Sequence, residues 1–134
     1  MGGACILVIS RKQKIVTKDS TEAELVALSD LITAVEKCEE FMRSQGMCDM
    51  ELPVVFQDNT STISLVTKGG GKPRTKHMRV RQQLVKEKFD HKEIDIQYVK
   101  TREMLADVLT KPLGGELFRW MTGEIMGKAS GKLA

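Results

Sequence analysis

Apolar and polar positions alternate in recognisable runs along most of this chain. Ala4 to Ser10 is a short apolar stretch that predicts a strand, and Arg11 to Lys14 a polar turn. Ile15 to Lys18 predicts a short extended piece. Asp19 is placed as a helix N-cap, and Glu22 three residues on completes a capping box. From Ser20 to about Gln45, Leu25, Leu28, Leu31, Ile32, Val35, Cys38 and Met42 recur at helical spacing, with Gly46 as the stop. A loop over 47–52 leads to a strand at Val54, Val55 and Phe56, which ends on Gln57-Asp58-Asn59. A short helix from Thr60 to Lys68 carries Ile63, Leu65 and Val66, and the run Gly69-Gly70-Gly71-Lys72-Pro73 breaks the chain. A second long helix is predicted from Lys76 to Phe89. Ile94, Ile96 and Tyr98 then alternate with Asp95 and Gln97 as a half-buried strand. Thr101 is placed to cap a final helix from Arg102 to Lys111, which Pro112 ends. Beyond Gly114 only weak amphipathic character remains. The order strand, helix, strand, helix, helix, strand, helix predicts an α/β layer architecture, with a domain over 1–113 and a C-terminal tail over 114–134.

Composition narrows the class without naming a function. The 134 residues suit one domain, and 41% hydrophobic with 29% charged residues is ordinary for a globular protein. Aromatics are only 4%, and eight Met fill part of that volume. Cys5, Cys38 and Cys48 are odd in number and lack CxxC spacing, which argues for reduced thiols in an intracellular protein rather than disulfides or a zinc site. No run approaches the ~18 apolar residues of a membrane span, and no cationic region precedes Ala4 to Ile9 as a signal peptide would require. Ile6 stands where N-myristoylation wants Ser or Thr. The Gly69–Lys72 run is not a phosphate-binding P-loop, because Val66 and Pro73 occupy positions that need Gly and Ser or Thr.

Charge distribution says more than the net +3. From Lys68 to Lys88, eight basic residues (Lys68, Lys72, Arg74, Lys76, Arg79, Arg81, Lys86 and Lys88) face Glu87 alone, so the rest of the chain is on balance acidic. Such asymmetry points to a polyanion partner, set against the plainer reading of a solvated basic helix face.

Three carboxylates carry the candidate chemistry. On a wheel at about 100° per residue, Leu28, Leu31, Ile32, Val35 and Met42 cluster within about 50° of one direction, and Glu24 falls among them. Glu22 falls on the polar side, where the capping box explains it. A carboxylate on an apolar stripe is costly unless paired, so Glu24 is either a rim residue of the core or a functional acid. Asp58 ends an apolar strand, the usual place for sites in α/β sheets, although Asp58 or Asn59 could simply cap the next helix. Asp107, between Leu105 and Val108, is either an exposed helix residue or a third member of the set. Convergent carboxylates suit Mg²⁺, and two such ions about 4 Å apart can clamp a phosphodiester during hydrolysis.

The motifs are more specific than any one residue. Ser20-Thr21-Glu22-Ala23-Glu24-Leu25-Val26-Ala27-Leu28, Gln57-Asp58-Asn59, Arg74-Thr75-Lys76-His77-Met78-x-Val80-Arg81, and Tyr98-Val99-x-Thr101 through Ala106-Asp107-Val108-Leu109-Thr110-Lys111-Pro112-Leu113 occur in order, preceded by Ser10-Arg11-Lys12-Gln13. This series resembles the ribonuclease H domain that ends the polyprotein of copia-type LTR retrotransposons, over about residues 3 to 113. The resemblance implies an RNase H-like fold: a five-stranded mixed sheet with flanking helices. It implies Mg²⁺-dependent hydrolysis of the RNA strand of RNA–DNA hybrids by two ions held by four carboxylates. Three of these fall on Glu24, Asp58 and Asp107, as catalytic residues and metal ligands.

The fourth, an Asp on the family's first strand, lies upstream of the Gly2-Gly3-Ala4 segment. The expectation is therefore that the first two strands and one ligand are missing here, and that activity is impaired. Lys72, Arg74, Lys76, His77, Arg79 and Arg81 are the expected nucleic-acid contacts. His77 is the weakest of these, since a lone His at a helix start more often packs or caps. The implied partners are the hybrid and an upstream reverse transcriptase domain, with no membrane. The implied location is intracellular, in a cytoplasmic virus-like particle or the nucleus. A non-catalytic nucleic-acid binder and a decayed remnant are the alternatives.

Overall fold

The structure is a computed structural model that describes residues 3–14, 17, 19–71 and 73–128. The expected extended piece at Ile15 to Lys18 falls largely outside the described residues, as do Lys72 and the end of the tail. The chain divides into two compact units, residues 15–98 and residues 1–14 with 99–134.

In the 15–98 unit the first element is helix α1, Ser20–Ser44. It starts where local chemistry says it should: the Asp19 carboxylate accepts from the Glu22 backbone N–H at 2.8 Å. It ends at Gly46, whose φ of 85° is the left-handed conformation that glycine adopts without strain. Strand β1, Val54–Gln57, runs into helix α2, Thr60–Thr67, and helix α3, Lys76–Asp90, returns the chain to strand β2, Asp95–Tyr98. Thr75 caps α3 by accepting from the Met78 N–H at 3.3 Å. The two strands pair in parallel, Val55 beside Ile96 and Gln57 beside Tyr98. A parallel pair needs a crossover, and α2 and α3 supply it.

The core lies between sheet and helices. Leu25, Val26, Leu28 and Ile32 of α1 meet Val55, Val66, Met78, Val85, Ile94 and Ile96. The stripe expected on α1 is thus buried in its first half only. Leu31 is 44% exposed, and Val35, Cys38 and Met42 are half-buried. Val26 and Ser29 are buried in their place, so the inward face is turned slightly from the one the wheel selected.

The α/β class stands, with a narrower sheet than expected. Among the described residues the sheet has two strands, both parallel, where a mixed sheet was expected. The predicted strand at Ala4 to Ser10 is not formed. Ile6, Leu7, Val8 and Ile9 are between 50% and 69% exposed, because β-propensity alone makes no strand without a neighbouring ladder.

The other unit also departs from expectation. Instead of a helix from Arg102 to Lys111, two short 3-10 turns, Thr101–Glu103 and Leu105–Leu109, are separated by extended backbone at Met104. The weakly amphipathic region after Gly114 contains an eleven-residue helix, α4, Gly115–Ile125, with Met121 fully buried. The Cys5 N–H donates to the Ile125 carbonyl at 2.8 Å, and Ser10 Oγ to the Leu109 carbonyl at 3.3 Å. At Gly127, φ 68°, an added Cβ would lie 2.8 Å from the Ala4 backbone nitrogen, so only glycine fits. Among the described residues no helix is long and apolar enough to cross a membrane.

Candidate carboxylate corner and basic helix face

Glu24 sits on the second turn of α1, half-buried beside the fully buried Leu25. Asp58 is the first residue beyond β1 and is also half-buried. The residue that joins them is Gln57, only 5% exposed. Strand alternation puts Gln57 on the same inward face as Val55. Its amide nitrogen donates to Glu24 Oε2 at 3.4 Å, a long hydrogen bond. Its amide oxygen accepts from the backbone N–H groups of Asp58 and Asn59, each at 3.0 Å. Residues 33 positions apart are thereby tied to one corner.

The capping alternative at this corner is decided. Asn59, not Asp58, caps α2, its Oδ1 accepting from the Thr62 N–H at 3.1 Å. The Asp58 carboxylate is not used in the cap. Asp107 lies in the other unit, in the second 3-10 turn. Its side chain is 14% exposed and accepts from Lys111 Nζ at 2.7 Å.

Among the described residues no group of three or more His, Cys, Asp or Glu is arranged to hold a metal ion. Glu24 and Asp58 offer the hard oxygen donors Mg²⁺ prefers, an ion that commonly takes one or two carboxylates together with substrate phosphates and water.

The basic segment divides along α3. Arg74, Lys76, His77 and Arg79 are exposed around the helix start, and Arg74, Lys76 and Arg79 make no ion pair among the described residues. Further along, the cations are engaged. Arg81 donates to Asp30 of α1 at 2.8 Å and also to the buried Ser29 hydroxyl. Lys86 pairs with Asp90 at 2.7 Å. Lys88 bridges Glu36 at 2.7 Å and Glu93 at 2.5 Å. Its hydrogen bond to Glu36, then that to Glu93, raise the amine above the ordinary lysine range, and the bond to Lys88 lowers the Glu93 carboxyl.

Sequence reasoning placed Gln57 only as a strand end. The available signal was its register: a polar residue two positions after Val55 faces inward and must find partners. The Ser29–Asp30–Arg81 cluster had no such signal, because it depends on how α1 and α3 pack.

Comparison with known proteins places the chain more broadly. No family model and no solved structure matches it. The chain is 30% identical over 128 residues to the Retrovirus-related Pol polyprotein from transposon TNT 1-94 of Nicotiana tabacum, a match covering 96% of the chain and 10% of that relative. It is 27% identical over 116 residues to the Retrovirus-related Pol polyprotein from transposon RE1 of Arabidopsis thaliana, covering 87% and 8%. It is 24% identical over 119 residues to the Transposon Ty1-NL2 Gag-Pol polyprotein of Saccharomyces cerevisiae, covering 86% and 7%. Its homologues are retrotransposon Pol polyproteins. The chain spans about a tenth or less of the length of each of these relatives.

Proposed function

We propose that these residues are the ribonuclease H region of a retrotransposon polyprotein, binding RNA–DNA hybrids through the start of α3. The observation that carries this reading is the corner at the end of β1. There two half-buried carboxylates, Glu24 and Asp58, are tied through Gln57 in the same unit as an exposed basic helix face. The order of the motifs and the Pol polyprotein homologues support it. Asp107 is proposed as the third acid of the set, and a reverse transcriptase domain of the parent polyprotein as the neighbour.

The corner ties together two carboxylates where the resemblance implies four, and we read these residues as a hybrid binder with impaired cleavage. The purified chain, incubated with a labelled RNA–DNA hybrid and Mg²⁺, tests this. Salt-sensitive binding with cleavage at background is the expected result. Efficient cleavage that disappears in Asp58→Asn would overturn the impairment and establish a working nuclease. Absence of any hybrid binding would refute the reading altogether.

A further inference from the structure

We propose that Gln57 is a positioning residue that locks the Glu24 carboxylate to the Asp58–Asn59 corner. The proposal rests on the reading that Glu24 and Asp58 carry the chain's chemistry. An inward strand position next to Val55 would ordinarily hold an apolar side chain, and a buried amide there is costly unless its polar atoms are used. Gln57 uses both ends. The amide oxygen takes the N–H groups of Asp58 and Asn59 just where the β1 ladder stops providing acceptors. That fixes the direction of the turn, puts Asn59 in place to cap α2 and leaves the Asp58 carboxylate out of the cap. The amide nitrogen takes Glu24 Oε2 from the second turn of α1.

The assignment is specific in chemistry. Leu at 57 neither accepts nor donates. Glu keeps the acceptor for the two amides but faces Glu24 with a second carboxylate. Exchanging the two residues, Gln57→Glu with Glu24→Gln, restores a donor and an acceptor in reversed order.

The experiment uses the whole chain without nucleic acid. Hydrogen exchange at the Asp58 and Asn59 amides is measured in wild type, Gln57→Leu and Gln57→Glu. Urea midpoints are measured for Gln57→Glu, Glu24→Gln and the double variant. The expected results are protection at the two amides falling about tenfold in Gln57→Leu and persisting in Gln57→Glu, with the double variant recovering most of the midpoint lost in Gln57→Glu. Exchange in Gln57→Leu equal to wild type, or midpoint losses that simply add in the double variant, would overturn the proposal. A packing role alone gives additive losses. If Gln57→Leu does not fold, the exchanged pair still decides the matter. Failure of hybrid binding, by contrast, would strike the functional reading and leave this result standing.

Discussion

The Arg81 guanidinium reaches from α3 to the Asp30 carboxylate of α1 at 2.8 Å and also donates to the Ser29 hydroxyl. Ser29 is 2% exposed and itself donates to the Val26 carbonyl at 3.0 Å, so the interaction is anchored in the α1 backbone. Arg81 therefore acts as a clasp between two helices. Replacing it with Ala should lower stability by about 1–2 kcal/mol, from a buried hydroxyl without its donor and a partly exposed ion pair broken. The same variant should leave the salt dependence of hybrid binding unchanged. Urea unfolding and a salt titration of hybrid affinity check the two halves. A flatter salt slope with stability intact would return Arg81 to the nucleic-acid contacts.

The exposed cations at the start of α3 are expected to behave in the opposite way. Arg74, Lys76 and Arg79 have no acidic partner among the described residues, and the first turn of α3 holds no acid. Positive charge collected at the positive end of a helix dipole is unfavourable unless an anion arrives. Each phosphate that a cation neutralises releases about one counterion into solution. Replacing all three with Gln should therefore reduce the slope of log affinity against log salt by about 2–3. Stability should hold or rise slightly. A salt slope that does not change would show that phosphates are met elsewhere.

Much of this was legible in the sequence where a signal is local. Asp19 and Gly46 bound α1 because capping and left-handed glycine need only neighbouring residues. Val54 to Phe56 is legible as a short apolar run, and the strand around Ile96 from alternation within one element. The failures share a cause. Ala4 to Ser10 has the side chains of a strand, but a strand exists only with a partner, and pairing is not written in its own residues. Arg102 to Lys111 has helical spacing, yet extended backbone at Met104 divides it into 3-10 turns. Likewise Glu24 was singled out by the wheel, while the Gln57 amide that holds it depends on where β1 lies against α1.

Lys88 gives the unit a stability that depends on pH. Its ammonium bridges Glu36 on α1 and Glu93 after α3, which raises the amine and lowers the Glu93 carboxyl. A lowered carboxyl contributes stability above its unfolded pKa of about 4.3 and loses it as pH falls through the folded value. A raised amine contributes below its unfolded pKa of about 10.4 and loses it as pH rises through the folded value. The clasp therefore works from mildly acid to strongly alkaline pH. Lys88→Met should cost stability at pH 7, with a smaller gap from wild type at about pH 3. Urea midpoints at the two pH values measure it, and a gap of equal size at both would mean that packing of the lysine stem, not charge, is responsible.

The sheet shows one face to solvent, and its two sides should respond differently to the same chemistry. Val55 is 4% exposed and faces the core, whereas Phe56, the next residue, is 56% exposed and points the other way with Val54. Parallel sheets are ordinarily covered on both faces, so an exposed Phe here is an aggregation liability with little bearing on core stability. Phe56→Thr keeps a strand-favouring residue and removes the ring. It should change unfolding free energy by no more than about 0.5 kcal/mol while raising the concentration at which the protein stays monodisperse. Val55→Thr makes an equally modest change one residue away, but places a hydroxyl in the buried cluster that Val55 shares with Leu25, Ile32 and Ile96. It should cost about 1–3 kcal/mol. Light scattering on a concentration series, together with urea unfolding of both variants, checks the contrast. Equal stability losses would show that the outer face is covered after all.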